Sequence, residues 1–200
     1  MIRRPAVATL SCMRSLYKSV TNLTGLPQRN RVQDYKRIKR ILQALHTNKY
    51  DDMKVPSIDQ LIKCLYVTKP LKVSVGVNKE VGLRQMNEEG RQLLKSEFLA
   101  AKNLFNTRNL NHFTGLRKSL MMDHQLGKIT QKFFELNNLQ SIARIPIPEN
   151  RLSKKILFQQ DLKVLNIVIA CLAHYNNEAI VREFIQNEVT KPTLRNLFGL

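Results

Sequence analysis

The chain has 200 residues, of which 33 are Lys or Arg and 15 are Asp or Glu, so its formal net charge is +18. Hydrophobic residues make up 43%, which excludes wholesale disorder, and seven Gly with seven Pro are too few for a turn-rich β-sandwich. Three distant cysteines, Cys12, Cys64 and Cys171, argue against a disulfide framework and fit a reducing compartment.

Residues 1–28 have the composition of a mitochondrial presequence. They contain no acid, and Ser and Thr are interleaved with the cations Arg3, Arg4, Arg14 and Lys18. We expect import into the mitochondrial matrix; the alternative is a basic N-terminal arm that is retained and touches RNA. Leu16-Tyr17-Lys18 also resembles the Leu-Tyr-Arg tripeptide of small mitochondrial assembly factors that bind acyl carrier protein, which leaves such a factor as a minor alternative.

A basic helix and linker are predicted over residues 29–56, where Ile38, Ile41 and Leu45 have helical spacing. Residues 1–50 hold 11 cations and one acid (+10), and residues 51–200 hold 22 and 14 (+8). Such a field attracts polyanions, RNA or DNA above all, although a merely solvated basic surface is the alternative. The RNA-binding candidates of this segment are Arg29, Arg31, Lys36, Arg37, Lys39 and Arg40.

Residues 57–200 are predicted to form one helical domain. Ser57 is the N-cap candidate of its first helix, and residues 70–82, with alternating Val, are expected to be an extended loop. A long helix is predicted over 84–105. Its inward-facing positions are Leu93, Leu94, Phe98, Ala101 and Phe105.

Four more helices are expected after this long helix. The first is predicted over 112–121, and the second follows a cap at Asp123. The third spans 157–172, after the proline-containing connection 145–148, and the fourth spans 179–185. The fold class is therefore all-α. The longest apolar run, 164–173, has ten positions, and a membrane-spanning helix needs about 20 apolar residues, so we expect no membrane span.

The order of these elements resembles that of the ribonuclease III endonuclease domain. Residues 62–69 occupy the place of the family's Ala-Leu-Thr-His-Lys-Ser-like helix end. Residues 87–95 match the signature helix, Asn-Glu-Arg-Leu-Glu-Phe-Leu-Gly-Asp, in position and in its opening Asn-Glu. Residues 116–120, 162–171 and 179–185 are similar to later segments. The resemblance implies a ribonuclease III endonuclease-like helical domain over about 58–190.

The same resemblance implies a degenerate active site. Active members of the family cut duplex RNA with Mg²⁺ held by four carboxylates, which lie on the signature helix and on a later helix. The aligned residues here are Glu88, Arg91, Lys95, Lys163 and Asn166, of which only the first is an acid. A register shift of one would bring Glu89 or Asp161 near a ligand position. We expect no catalysis, no metal and no cofactor.

Dimerisation and affinity for RNA can survive the loss of these acids, because RNA helices are recognised through phosphates and 2′-hydroxyls. The resemblance implies a dimer interface on the signature helix, for which the candidates are Leu93, Leu94 and Phe98. A second set of RNA-binding candidates, less distinct from an ordinary solvated surface, comprises Arg117, Lys118, Lys154 and Lys155.

Within that family, the chain resembles ribonuclease III-like proteins of the fungal mitochondrial large ribosomal subunit. This implies a structural role in mitochondrial translation, with ribosomal RNA and other large-subunit proteins as partners. It also implies a heterodimer with a second ribonuclease III-like ribosomal protein that carries a double-stranded-RNA-binding domain. Because the chain ends at Leu200, we expect it to be the shorter partner. The main alternative is an RNA-processing or maturation factor outside the ribosome.

Overall fold

The computed structural model describes residues 31–76, 79–108 and 124–198. The helices of this part of the chain are α1 (Arg31–Ala44), α2 (Ile58–Cys64), α3 (Leu83–Arg108), α4 (His124–Leu136), α5 (Lys154–Tyr175), α6 (Glu178–Phe184) and α7 (Lys191–Phe198). Single 3₁₀ turns lie at Thr47–Lys49 and Glu149–Arg151, and a π-helix at Ile185–Thr190 joins α6 to α7. The expected all-α class is thus confirmed. The expected helix at 112–121 and the cap at Asp123 lie outside the described residues.

The core forms around α5, which is apolar on all sides over its second half. Every residue from Val164 to Leu172 is buried, as expected for a helix enclosed by other elements. In the described part of the chain, α5 is the one helix long and apolar enough to cross a membrane, with a mean hydropathy of 1.6. However, 56% of that window is buried inside the protein, so its apolarity is accounted for by the core.

The most extensive contact between elements joins α3 to α5. It is close because Gly90 of α3 lies against the backbone of Asn166: a Cβ on Gly90 would be 1.9 Å from the carbonyl oxygen of Asn166. Leu94 and Phe98 extend the contact region into the core. The position of Gly90 therefore determines which residues of the two helices face each other.

A two-stranded hairpin replaces the extended loop expected at residues 70–82. Strand β1 (Lys72–Ser74) pairs antiparallel with β2 (Glu80–Gly82), and Val73 lies opposite Val81. Val73, Val75 and Val81 are all buried, because alternate residues of a strand point to one face. The alternation of Val was the correct signal, but strands of three residues give too short a pattern to predict their pairing.

Helix α1 packs on the body through Ile38, Ile41 and Leu45, which are buried as their spacing predicted. Asp34 of the same helix is also buried, and its carboxylate accepts hydrogen bonds from the Tyr66 hydroxyl (2.7 Å) and from the Arg144 guanidinium. The basic helix is thus attached to the domain by apolar packing and by one buried ionic contact.

The C-terminal helical region is longer than predicted. Helix α6 ends at Phe184, and the chain continues through the π-helix into α7. Val189 and Leu194 of this continuation are buried. The polar run Gln186-Asn187-Glu188 interrupted the apolar spacing, so that the sequence pattern indicated an end at residue 185.

Candidate nucleic-acid interface

The crossing of α3 and α5 brings together residues from both segments that the sequence assigned to a degenerate site. Asn166 is 4% exposed, and its Nδ2 donates a hydrogen bond of 3.0 Å to Oδ1 of Asn87. Lys163 lies on α5 one turn earlier and is exposed. The crossing therefore presents an amide pair and a cation.

A groove of about 470 Å³ opens beside this amide pair, between the start of α3, the hairpin and α5. Leu71, Leu83 and Ile167 contribute apolar lining. No acidic side chain among the described residues lines this groove. Its four cations come from separate parts of the chain and are Lys69, Lys72, Arg84 and Lys163. We call it the cationic groove.

The residues of α3 that share this groove with Lys163 lie one helical turn before those expected. They are Arg84 and Asn87, whereas Glu88 and Arg91 had been aligned with the site. Residues at i, i+3 and i+7 do share a helix face, but the helix crossing decides which turn of that face lies opposite α5. The close approach at Gly90 determines that turn.

Glu88, the one acid among the five aligned residues, lies in a second groove, which residues 88–96 of α3 form with residues 170–174 of α5. It is paired within its own helix. Arg91 donates two hydrogen bonds to its carboxylate, of 2.7 and 3.1 Å, and Gln92 donates a third of 2.8 Å. These bonds, that from Arg91 foremost, hold the pKa of Glu88 below its ordinary value. Lys95 follows one turn later on α3 and is half-buried.

The two other acids considered for this site, Glu89 and Asp161, also have partners elsewhere. Glu89 contacts Nε2 of His174 at 2.8 Å in the second groove. Asp161 is 4% exposed and accepts hydrogen bonds of 2.8 Å from the backbone N–H groups of Ser141 and Ala143. Burial raises the pKa of Asp161, and these N–H groups oppose the rise by stabilising its carboxylate.

Within residues 31–76, 79–108 and 124–198, no three His, Cys, Asp or Glu side chains are grouped so that they could hold a metal ion. The polar side chains beside the cationic groove are instead amides and cations, whereas Glu88 and Glu89 lie in the second groove. Ammonium and guanidinium groups have no lone pair for a metal, whereas they bind anions well. Chemically, the crossing fits an anionic ligand.

The three candidates for a dimer interface are placed differently from one another. Leu94 and Phe98 are 1% and 6% exposed, and both belong to the core of the domain. They are therefore not available to a partner in this conformation, which corrects the expectation for these two residues. Leu93 is half-buried and lines the second groove.

The cations of α1 divide into two groups, and in the first group each cation has an acceptor within the protein. Arg31 forms an ion pair of 2.7 Å with Asp59, and Arg40 donates to the carbonyl of Asn138. Arg37 donates to the carbonyls of Ile142 (3.3 Å) and Ala143 (2.8 Å). These arginines attach α1 to neighbouring segments.

Arg37 is the most enclosed cation of α1. Its side chain is 18% exposed, and Glu149 lies 3.5 Å from its guanidinium. Burial, followed by the charge of Arg144, lowers the pKa of Arg37 from its ordinary value. Its position is therefore explained by the fold, without an external phosphate.

The second group of α1 cations is exposed, as are two lysines of α5, and none of these makes an ion pair with any residue that the structure describes. They are Lys36 and Lys39 on α1 and Lys154 and Lys155 at the start of α5. Cations at a helix N-terminus are opposed by the helix dipole, so the last two do not stabilise α5. Arg29, Arg117, Lys118 and the tripeptide Leu16-Tyr17-Lys18 lie outside the described residues.

The sequence pattern missed three cations of the cationic groove, Lys69, Lys72 and Arg84. They flank the apolar segment between α2 and α3, where no periodicity linked them to Lys163. The available signal was indirect: Lys69-Pro70 lies in the turn before β1, and Arg84 is the second residue of α3. Only the packing of the hairpin against α3 and α5 brings them to one groove.

Comparison with known proteins yields no relative for this chain: no family model, no curated protein and no solved structure matches it.

Proposed function

We propose that this protein is a non-catalytic, RNA-binding structural component of the mitochondrial large ribosomal subunit. Its ligand would be ribosomal RNA, and its protein partners would be a second ribonuclease III-like ribosomal protein and other large-subunit proteins. The finer assignment of the helical domain, to a ribonuclease III-like fold with a degenerate active site, is part of this proposal and rests on the order of sequence segments.

The observation that carries the proposal is the chemistry of the α3–α5 crossing. A Mg²⁺-dependent nuclease needs carboxylates there, and the crossing has instead the Asn87–Asn166 amide pair with Lys163 beside it. The nearby acids Glu88, Glu89 and Asp161 are engaged by other groups. Such a surface favours binding of phosphate over its hydrolysis.

The charge distribution supports RNA as the ligand. The net charge is +18, and the exposed lysines of α1 and α5 are not neutralised by acids of the described part of the chain. An excess of exposed cations binds polyphosphates by releasing their counterions. The acid-free, Arg-containing N-terminal segment supports the mitochondrial matrix as the location.

Sedimentation of the endogenous protein in mitochondrial lysate tests this proposal. On sucrose gradients the protein should migrate with the intact ribosome, and it should shift to the free large subunit when EDTA separates the subunits. A pool that stays near the top of both gradients would reject the ribosomal assignment. Cleavage of duplex RNA with Mg²⁺ would then be tested, because a processing nuclease is the leading alternative.

A further inference from the structure

We infer that the cationic groove is a phosphate-binding site that holds the backbone of an RNA strand directly on protein cations, without a bridging metal ion. This inference rests on the proposed function for the identity of the ligand. The site itself rests on the structure of the groove.

Among the residues that the structure describes, the groove presents donors of hydrogen bonds and no charged acceptor. Lys69, Lys72, Arg84 and Lys163 line it, and all four side chains are exposed and carry ammonium or guanidinium groups. Oδ1 of Asn87 already accepts from Asn166, so the remaining polar group of the Asn87 side chain is its amide N–H₂. A ligand that binds among these donors must be rich in acceptors and negative, as a phosphate or phosphodiester is.

The cations of the groove are not neutralised within the described protein. No acid among the described residues lines the groove, and Lys69 stacks over the ring of Tyr66, with its Nζ 5.1 Å from the centroid. Holding four positive charges around one groove costs electrostatic free energy, since like charges repel. An anionic ligand would relieve that repulsion.

The groove is also rigidly supported. Arg84 and Asn87 lie on α3, Lys163 lies on α5, and Gly90 holds the two helices in close contact. Lys72 lies on the hairpin, next to Leu71. The backbone N–H of Leu83, the first residue of α3, donates a hydrogen bond of 3.2 Å to the carbonyl oxygen of Leu71. The backbone positions that carry the donors are thus fixed before a ligand binds, which lowers the entropic cost of binding.

The volume and apolar lining suit one nucleotide unit of a strand. About 470 Å³ is within the range of small-ligand sites, and Leu71, Leu83 and Ile167 offer an apolar surface for a ribose or base. A phosphate on the cations with its sugar against the apolar wall would use both parts of the lining. A free mononucleotide has the same chemistry, so the experiment must separate the two sources.

The test compares two double variants of the full chain that lose the same charge. Arg84→Gln/Lys163→Gln removes two cations of the groove and keeps the first two methylene groups of each side chain. Lys128→Gln/Arg195→Gln removes one exposed Lys and one exposed Arg from α4 and α7 and is the matched control. Circular dichroism and thermal unfolding confirm that both variants fold. Binding of a fluorescent duplex RNA is then measured over a range of salt concentrations.

We expect the groove variant to weaken RNA binding by about tenfold or more. The slope of log K against log salt should fall by about 0.9, because each phosphate that the protein no longer neutralises reduces it by about 0.9 and the groove holds one. The control variant should keep the wild-type slope. Equal affinities and equal slopes in the two variants would overturn the groove as a site, even if the protein sediments with the large subunit.

Calorimetric titration with AMP and with inorganic phosphate distinguishes an RNA strand from a free mononucleotide as the ligand of the groove. If AMP binds the wild type and not the groove variant while RNA binding is equal in both, the assignment to an RNA strand is wrong. Failure of the wild type to bind RNA, AMP and phosphate would reject the inference entirely. Conversely, the protein could be absent from ribosomal fractions while only the groove variant loses RNA binding. This result would reject the ribosomal proposal and support the groove as a binding site.

Discussion

At the scale of single residues, the attachment of α1 depends on one buried carboxylate. Asp34 is 1% exposed and is compensated by the Arg144 guanidinium and by the hydroxyl of Tyr66. A buried charge is tolerated only with such partners, because its desolvation costs several kcal/mol. These contacts join α1, the end of α2 and the segment after α4, which are distant in sequence.

Replacing Tyr66 by Phe should show how this site depends on pH. Burial, and then the hydrogen bond to Asp34, raises the pKa of Tyr66 to about 12, against about 10 in an unfolded chain. The contribution of the hydroxyl is therefore complete below about pH 10 and is lost as pH rises through about 12. We expect Tyr66→Phe to lower the free energy of unfolding by about 1.5 kcal/mol near pH 8.

Urea unfolding at a series of pH values measures this difference. The gap between wild type and Tyr66→Phe should narrow from about pH 10 to about pH 12. Tyr35→Phe is the control, since Tyr35 is exposed on the same helix as Asp34 and should change the free energy of unfolding by less than about 0.5 kcal/mol. A gap that stays constant across the alkaline range would contradict the assignment.

At the scale of elements, the crossing of α3 and α5 depends on one missing side chain. Gly90 allows the two backbones to touch, and a Cβ there would also lie 2.6 Å from the carbonyl carbon of Asn166. Backbone atoms of a buried helix cannot yield as a flexible side chain does. A methyl group at this position would therefore force α3 and α5 apart and disturb the packing between them.

We expect Gly90→Ala to lower the free energy of unfolding by about 2–3 kcal/mol, since overpacking outweighs the roughly 1 kcal/mol gained from the helix propensity of Ala. Gly127→Ala in α4 is the matched control. Among the described residues, no atom outside the adjacent stretch of α4 lies within 4 Å of a Cβ built there, so this variant should be stabilised by up to about 1 kcal/mol. Chemical denaturation measures the free energy of unfolding of both variants, which should fall for Gly90→Ala and rise for Gly127→Ala. An unchanged free energy of unfolding in Gly90→Ala would show that the two helices can move apart without penalty.

Much of this architecture could be predicted from apolar spacing. Ile38 with Ile41, Leu94 with Phe98, and Phe133 on α4 are buried as their periodicity indicated. The spacing could not reveal which turn of α3 faces Lys163, because that depends on the three-dimensional crossing at Gly90. Nor could it reveal the cationic groove, whose residues are brought together only by the packing of the hairpin.

At the scale of the whole molecule, the positive charge has two different uses. Arg31, Arg37 and Arg40 bind carboxylates or carbonyls of the protein itself and contribute to the fold. Lys36 and Lys39 on the same helix are exposed without a partner in the described chain. Charges that the fold does not use raise the repulsion within the molecule, and polyanions reduce it. Net charge alone therefore overstates the number of cations available to RNA.

The proposed function makes a further prediction about divalent ions. If cations of the protein bind phosphates directly, Mg²⁺ competes for those phosphates, and duplex RNA should bind most tightly in EDTA and more weakly as Mg²⁺ rises to millimolar levels. The RNA should remain at full length throughout, because the cationic groove offers amides and cations where a hydrolytic Mg²⁺ would need carboxylates.

Fluorescence anisotropy and gel electrophoresis of the same samples test both parts of this prediction, with an active ribonuclease III as the positive control for cleavage. The competing model, a metal-dependent nuclease, requires the opposite sign, since Mg²⁺ would bridge the protein to the scissile phosphate. Binding that strengthens on addition of Mg²⁺, or cleavage that EDTA stops, would therefore reject direct binding by protein cations. A fall in affinity with intact RNA would agree with the non-catalytic role.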